Sequence, residues 1–253
     1  MFVRWMLAAL AAVFLSGCAS LGPPPPLPAA GLGAGAKVGL LIEVDASATH
    51  THVGTTVFNN FARDVTMPFD LAGEVRGRVG GGLTAAGLQV VPIEAAAFPP
   101  GSLGSLVQSR DGSWVVNPER AAVFKALREE RGLSALIMVR GERTLVSREC
   151  SNMGCTDRTI GTSGLFTRSF LGMTRFFAVP ALNVEVLRLD APADLTRHDP
   201  LKTLLDTKVK GLSMSEPKEF KAITPDEFKP VADSIRSWVE QLGKTTTEAL
   251  ARR

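Results

Sequence analysis

Cysteine, histidine, serine and paired carboxylates are the side chains with which this chain could do chemistry, and their spacing narrows what that chemistry would be. Cys150 and Cys155 are separated by Ser151-Asn152-Met153-Gly154, a turn-prone tetrapeptide. In an oxidising compartment such a turn, given suitable strand pairing, brings two α-carbons to the ~4.4–6.8 Å that a disulfide needs. Closing so small a loop is worth only ~2 kcal/mol of chain entropy, so the bond would serve local rigidity. The alternative is a redox-active or zinc-binding pair, which lacks the two-residue spacing of redox pairs and the two further ligands of a zinc site. His50-Thr51-His52 has metal-ligand spacing on an extended chain, but His198 is the only other histidine, and the pair reads as solvated loop imidazoles. Glu43 and Asp45 alternate onto one face of a strand end, where a general acid and base could sit; without a cleft signal they read as solvated or paired. Ser163 lies in Gly161-Thr162-Ser163-Gly164 and lacks the Gly-x-Ser-x-Gly elbow of a serine hydrolase. No catalytic residue, metal site or cofactor motif emerges, and the chain reads as a non-enzyme.

The first eighteen residues carry chemistry of another kind. Arg4 is followed by an unbroken apolar run from Trp5 to Leu15 that ends in Leu15-Ser16-Gly17-Cys18. At ~1.5 Å per residue this run covers roughly half of the ~30 Å hydrocarbon core, so it reads as a removable signal segment over 1–17 and not as a permanent span. Leu15-Ser16-Gly17-Cys18 resembles the lipobox of bacterial lipoproteins. The resemblance implies that Cys18 is acylated, becomes the first mature residue and anchors the protein stably to a membrane. Ala19 and Ser20 follow where an aspartate would signal inner-membrane retention, which favours the periplasmic face of the outer membrane. From 18 to 36 the chain is rich in proline and glycine, with Pro23 to Pro26 stiff and Gly31 to Gly35 flexible, and reads as a tether. Its glycines precede the first strand, the wrong place for a phosphate-binding loop.

Composition bounds the rest. The chain has 253 residues, 45% of them hydrophobic and 21% charged, with a formal net charge of +3, which fits one globular unit over 37–253 and offers no basic field for nucleic acid. Lys37 to Val44 reads as a largely buried strand, and Leu88 to Ile93 and Ser134 to Arg140 read as the second and third strands. Leu71, Val75, Val79 and Leu83 form a helical stripe after Asp70. Asn117-Pro118 starts a second helix that ends at Gly132. Ala181 to Leu189 and Thr203 to Val209 alternate like half-exposed strands. Thr224-Pro225-Asp226-Glu227 is a capping box opening a third helix, with Val231, Ile235, Trp238 and Leu242 as its buried face.

The order β-α-β-α-β-β-β-α predicts a single α/β domain, three helices on a mixed sheet of about five strands. That order, with KVGLLIEV, LQVVPIE, SALIMVR and ALNVEVLRLD on a lipobox-anchored chain, resembles the curli-secretion-lipoprotein superfamily, which includes outer-membrane activators of peptidoglycan synthases. The resemblance implies a protein that assembles, secretes or binds partners at the envelope, and it carries over no catalytic residue. The partners expected are therefore the membrane, through lipid on Cys18, and an envelope protein. The alternative is a lipid- or solute-binding component of an envelope transport system.

Two features bear on where a partner would bind. Gly73, Gly77 and Gly81 repeat every four residues on the first helix. They are either a smooth strip for close approach of another backbone, from a second subunit or the chain's own loop, or a compositional excess of glycine in a frayed helix. Ile160 to Val179 carries Leu165, Phe166, Phe170, Leu171, Met173, Phe176 and Phe177 beside Arg168 and Arg175. It reads as a hairpin folded on the core because clean alternation is missing, with a surface for a partner or a membrane through Phe170 and Phe176 as the alternative.

Overall fold

The computed structural model describes residues 23–152 and 154–251; Cys18 and the signal segment lie outside them. The architecture is mixed α/β built on two five-stranded sheets and two separate hairpins, where a single sheet was expected. Strands β1 (Lys37–Glu43), β2 (Ala48–Val53), β3 (Phe61–Val65) and β4 (Gln89–Pro92) precede the β5 (Val107–Arg110) and β6 (Ser113–Val116) hairpin. Strand β7 (Ala135–Gly141) is followed by the β8 (Thr144–Ser151) and β9 (Gly154–Ile160) hairpin. Then come β10 (Gly164–Phe170), β11 (Met173–Val179), β12 (Leu182–Arg188), β13 (Ala193–Asp194) and β14 (Lys210–Leu212).

The first sheet has the order β13-β12-β7-β1-β4, with β1 parallel to both neighbours and β12 antiparallel to β7. Of these strands, β1, β4 and β7 are legible from their apolar runs and β12 from its alternation. One face, with Val38, Leu40, Ile137 and Val184, packs on helix α1 (71–85) and helix α4 (Pro225–Ala251). The other face, with Leu41, Leu136 and Met138, packs on Phe124 and Leu127 of helix α2 (118–130). Burial on both faces is why β1 and β7 read as continuous hydrophobic runs. In α1 the expected stripe is fully buried. A four-residue repeat overshoots a 3.6-residue turn by about 40° per step; the π-helical middle, Arg76–Gly80, has a wider turn that takes out part of this drift. The capping box opens α4 as read: Thr224 N–H donates to Glu227 Oε2 at 2.9 Å and Glu227 N–H to Thr224 Oγ1 at 3.3 Å.

Two expectations need correction here. Thr203 to Val209 is not a strand: Leu201–Asp206 forms a fourth, short helix, α3, because Leu201, Leu204 and Leu205 face the core together and Trp238 of α4 donates its indole N–H to the Leu204 carbonyl at 3.3 Å. The proline-rich stretch is not free over 25–36. Pro25 is buried, its carbonyl accepts from Trp114 Nε1 at 3.1 Å, and the Ala30 carbonyl accepts from Arg188 at 2.9 Å. Leu32 N–H donates to the Leu250 carbonyl at 2.7 Å. Arg188 is itself buried and held by Asp190 at 2.6 Å, so a paired cation fixes this strap to the first sheet.

The second sheet, β14-β11-β10-β2-β3, positions the candidate site. Strands β2 and β10 run parallel, away from the first sheet, and β11 returns antiparallel to β10. The Gly164/Val179 end therefore adjoins the first sheet, where Ser163 Oγ accepts from Ala181 N–H at 3.0 Å. The turn between Phe170 and Met173 lies at the outer end. Helix α4, 27 residues and so ~40 Å long, underlies both sheets, from Phe228 beneath the second to Leu250 beneath the first.

Candidate functional site

Each face of the second sheet has its own lining. Leu165, Phe176 and Ala178 face α4 in the main core, and Ala48 of β2 joins them. Phe166 and Val53 face the β8–β9 hairpin, with Val146, Ile160 and Phe177. Both faces are covered, so Ile160 to Val179 lacks period-two alternation even though it forms two regular strands.

His50 and His52 sit on the core face in β2, not in a loop: they are 1% and 7% exposed. Strand β2 lies between β3 and β10, and Phe61 and Phe220 close over the imidazoles, with the His52 ring 5.1 Å and 5.0 Å from theirs. Thr167, fully buried, stands between the rings, its hydroxyl 2.8 Å from His50 Nε2 and 2.7 Å from His52 Nδ1. One hydroxyl has a single proton, so at most one of these two bonds is donated by Thr167. Burial, then the neighbouring imidazole, pushes His50 down to about 4, with the Phe220 backbone working the other way. Burial and then the Arg168 charge lower His52 as well. A hydroxyl between two imidazoles has the composition of an activated nucleophile, but Thr167 as placed offers a substrate no approach.

The outer end of the sheet is different. Val57 and Phe58 in the β2–β3 loop are 75% and 92% exposed, and Phe170, Leu171 and Met173 in the β10–β11 turn are 51%, 74% and 67% exposed. The two loops are neighbours. Arg168 donates to the Gly54 carbonyl at 2.8 Å, and Thr55 Oγ1 to the Ser169 carbonyl at 3.5 Å. Leu171 has φ 49° and Gly172 φ 78°, so this is a two-residue hairpin turn with both residues left-handed. Two register steps behind the Phe170–Met173 pair stands Arg168 opposite Arg175. Glu149 of β8 pairs with Arg168 at 2.5 Å and with Arg158 at 3.3 Å. Burial opposes the Glu149 charge, but these two guanidiniums hold its carboxyl below the usual range.

The residues singled out in the sequence are distributed unevenly around this end. Cys150 and Cys155 are bonded across β8 and β9 as directly opposed partners, with Cα atoms 4.0 Å apart, just below the window expected. The Glu149–Arg168 pair brings that hairpin beside β10. Phe170 is at the outer end, but Phe176 is 6% exposed in the main core, which corrects its assignment to a partner surface. Gly73, Gly77 and Gly81 lie elsewhere. A Cβ on Gly73 would meet only Asp70 of its own helix start, and Gly77 and Gly81 meet nothing within 4 Å. The close helix approach is made instead by Gly82 and Gly243, whose Cβ atoms would fall 2.7 Å from Thr247 Oγ1 and 2.6 Å from the Arg78 carbonyl. Gly77 and Gly81 line a cleft of about 510 Å³ between α1 and α4, together with Arg78, Glu240 and Lys244. Glu43 is paired with Arg140 at 3.0 Å, and Ser163 serves the β11–β12 connection.

The sequence reading passed over Val57 and Phe58. Their signal was two adjacent apolar residues inside the otherwise polar run Gly54-Thr55-Thr56-Val57-Phe58-Asn59-Asn60. Among the described residues, no helix is long and apolar enough to cross a membrane, and no group of three or more His, Cys, Asp or Glu is placed to hold a metal. Compared with known protein families, curated proteins and solved structures, the chain has no match in any of the three.

Proposed function

We propose that this is a lipid-anchored envelope protein that works by contact, not catalysis, and that it engages its partner through the outer end of the second sheet. One observation carries the reading: of the six large apolar side chains exposed among the described residues, five stand on the two adjoining loops at this end. Scattered exposed hydrophobics need no explanation, whereas a contiguous apolar patch marks an interaction site. The sequence supplies the anchor, Cys18 behind a removable apolar run, and with it the periplasmic face of the outer membrane.

A photo-reactive residue placed at 58 or 171 of the full chain in the native envelope tests this, with the exposed helix position 122 on α2 as control. Crosslinks from 58 and 171 exceeding those from 122 are expected. Equal yields from all three positions would overturn the reading. Mass spectrometry of the mature N-terminus tests the anchor, since an unmodified Cys18 in the membrane fraction would remove it.

A further inference from the structure

We propose that the surface met by this end of the molecule is an anionic lipid bilayer, into whose interface Phe58, Phe170, Leu171 and Met173 dip while Arg175 lies at the phosphates. The inference deepens the reading of this end as the working surface and rests on it.

The first argument is spacing along the hairpin. Phe170 and Met173 are a directly opposed pair, and the Arg168–Arg175 pair sits two residues behind them on the same face. At ~3.4 Å per residue the apolar pair stands ~7 Å beyond the cations, with Leu171 further out at the turn. Apolar groups of interfacial segments lie ~5–10 Å deep, below the headgroups. The hairpin thus has an apolar tip and, in the exposed Arg175, a cation at the separation that a bilayer interface has, while Arg168 is held by Glu149 and the Gly54 and Ser169 carbonyls.

Charge gives the second argument. Like charges directly opposed across a sheet are destabilising, yet Arg168 faces Arg175. Glu149 is shared between Arg168 and Arg158, and Arg175, which is exposed, has no acidic partner among the described residues. Two guanidiniums share one carboxylate and a third, Arg175, faces Arg168, which leaves a positive excess that lipid phosphates would complete.

Shape gives the third. Phe58, at 92% exposed, and Leu171, at 74%, project from two separate turns, and Phe58 also edges a cleft with Thr55, Phe61 and Phe220. Lipid deforms around separate tips of this kind without a matched surface. Leu171 also occupies a left-handed position that favours glycine or asparagine, so neither its backbone nor its burial explains a leucine there. The strap over 25–36 is fixed to the first sheet, which makes this contact separate from the anchor at Cys18 and a second membrane attachment in its own right.

The test uses the full mature chain, reconstituted through its N-terminus into vesicles, with an environment-sensitive fluorophore on Leu171→Cys or Phe58→Cys. Cys150 and Cys155 are bonded to each other and so take no label. A blue shift and intensity gain are expected with phosphatidylglycerol-containing vesicles, either in the anchoring bilayer or when such vesicles are added to protein held in neutral ones. Phosphatidylcholine alone should give several-fold less. Arg175→Gln should weaken partition about fivefold, the worth of one interfacial cation. Phe170→Ser with Met173→Ser should abolish the signal of the probe at 58. No spectral change with any vesicle would overturn lipid docking. If photo-crosslinks from 58 and 171 then reach protein, the contact reading survives with a different occupant; if they reach nothing, both fail.

Discussion

One hairpin contains both a core and its opposite. At the inner end of β10 and β11, Leu165, Phe166, Phe176 and Val179 are buried between α4 and the β8–β9 hairpin. At the outer end, Phe170, Leu171 and Met173 have the same apolar character and are 51%, 74% and 67% exposed, with the Arg168 guanidinium over the Phe170 ring. Residue type is shared, so the difference is made by what the chain folds against each end: the layers that cover the sheet on both faces stop short of the turn. An apolar side chain that packs is there for stability, and one that stands in water at the tip of a tight turn has to be explained by what it touches elsewhere.

The comparison is broken most directly by truncating one phenylalanine from each end. Phe176→Ala removes a ring from the main core and should cost ~3 kcal/mol or more, a fall in melting temperature of roughly 6–12 °C for a domain of this size. Phe170→Ala should stay within ~0.5 kcal/mol. Thermal melts of the two variants side by side decide it; equal losses would mean that the outer end is packed after all.

The inner end also buries polar groups, and pH tests that burial. His50 in the folded protein is pushed down to about 4, and His52 is lowered too, while in the unfolded chain both titrate near ~6.5. Above pH ~6.5 neither state binds the protons and stability does not change through these groups. As pH falls towards 4 the unfolded chain takes up protons that the folded one refuses, so stability is lost, by up to ~3 kcal/mol for His50. Urea midpoints at pH 7.5 and 4.5 should show the loss, and His50→Asn should shrink it. An unchanged pH dependence in that variant would mean that the imidazole is hydrated in the folded state.

A smaller contrast lies between glycines. Gly243→Ala forces a methyl to within 2.6 Å of the Arg78 carbonyl and should cost ~1–3 kcal/mol net of the helix propensity gained. Gly77→Ala meets open space and should gain ~0.5–1 kcal/mol. Denaturant midpoints that moved in the same direction for both would remove the distinction between the helix contact and the open stripe.

What could be read in advance was local. The Leu71, Val75, Val79, Leu83 stripe and the Thr224–Glu227 box specify their helices within a dozen residues, and the apolar runs of β1, β4 and β7 announce strands, of which β1 and β7 are buried on both faces and β4 is a partly exposed edge. The second sheet was not legible, because His50 and His52 are buried by groups far away in sequence, Thr167 and Phe220, and read alone they look like loop residues. The strap misled for the same reason: proline and glycine suggest a free tether until Trp114 and Arg188 supply donors to Pro25 and Ala30. Of the candidate site, Phe170 was visible but not separable from Phe176, since exposure is decided by the length of the covering hairpin and helix and by no residue of the segment itself.

The smallest expected effect bears most closely on why the two ends differ. Leu171 pays for its place twice, with φ 49° and with 74% of its surface in water. A left-handed conformation costs a branched side chain ~1 kcal/mol, and asparagine before glycine is the preferred pair for a two-residue hairpin of this type. Leu171→Asn should therefore raise stability by ~0.5–1 kcal/mol, seen as a small rise in the urea midpoint with an unchanged slope, while contact at the outer end weakens. Selection for folding alone would have no reason to keep leucine at such a position. If the asparagine variant is instead less stable than the parent, then Leu171 is supporting the fold through its neighbours Phe170 and Met173, and the outer end is a poorly covered part of the core and not a surface built for contact.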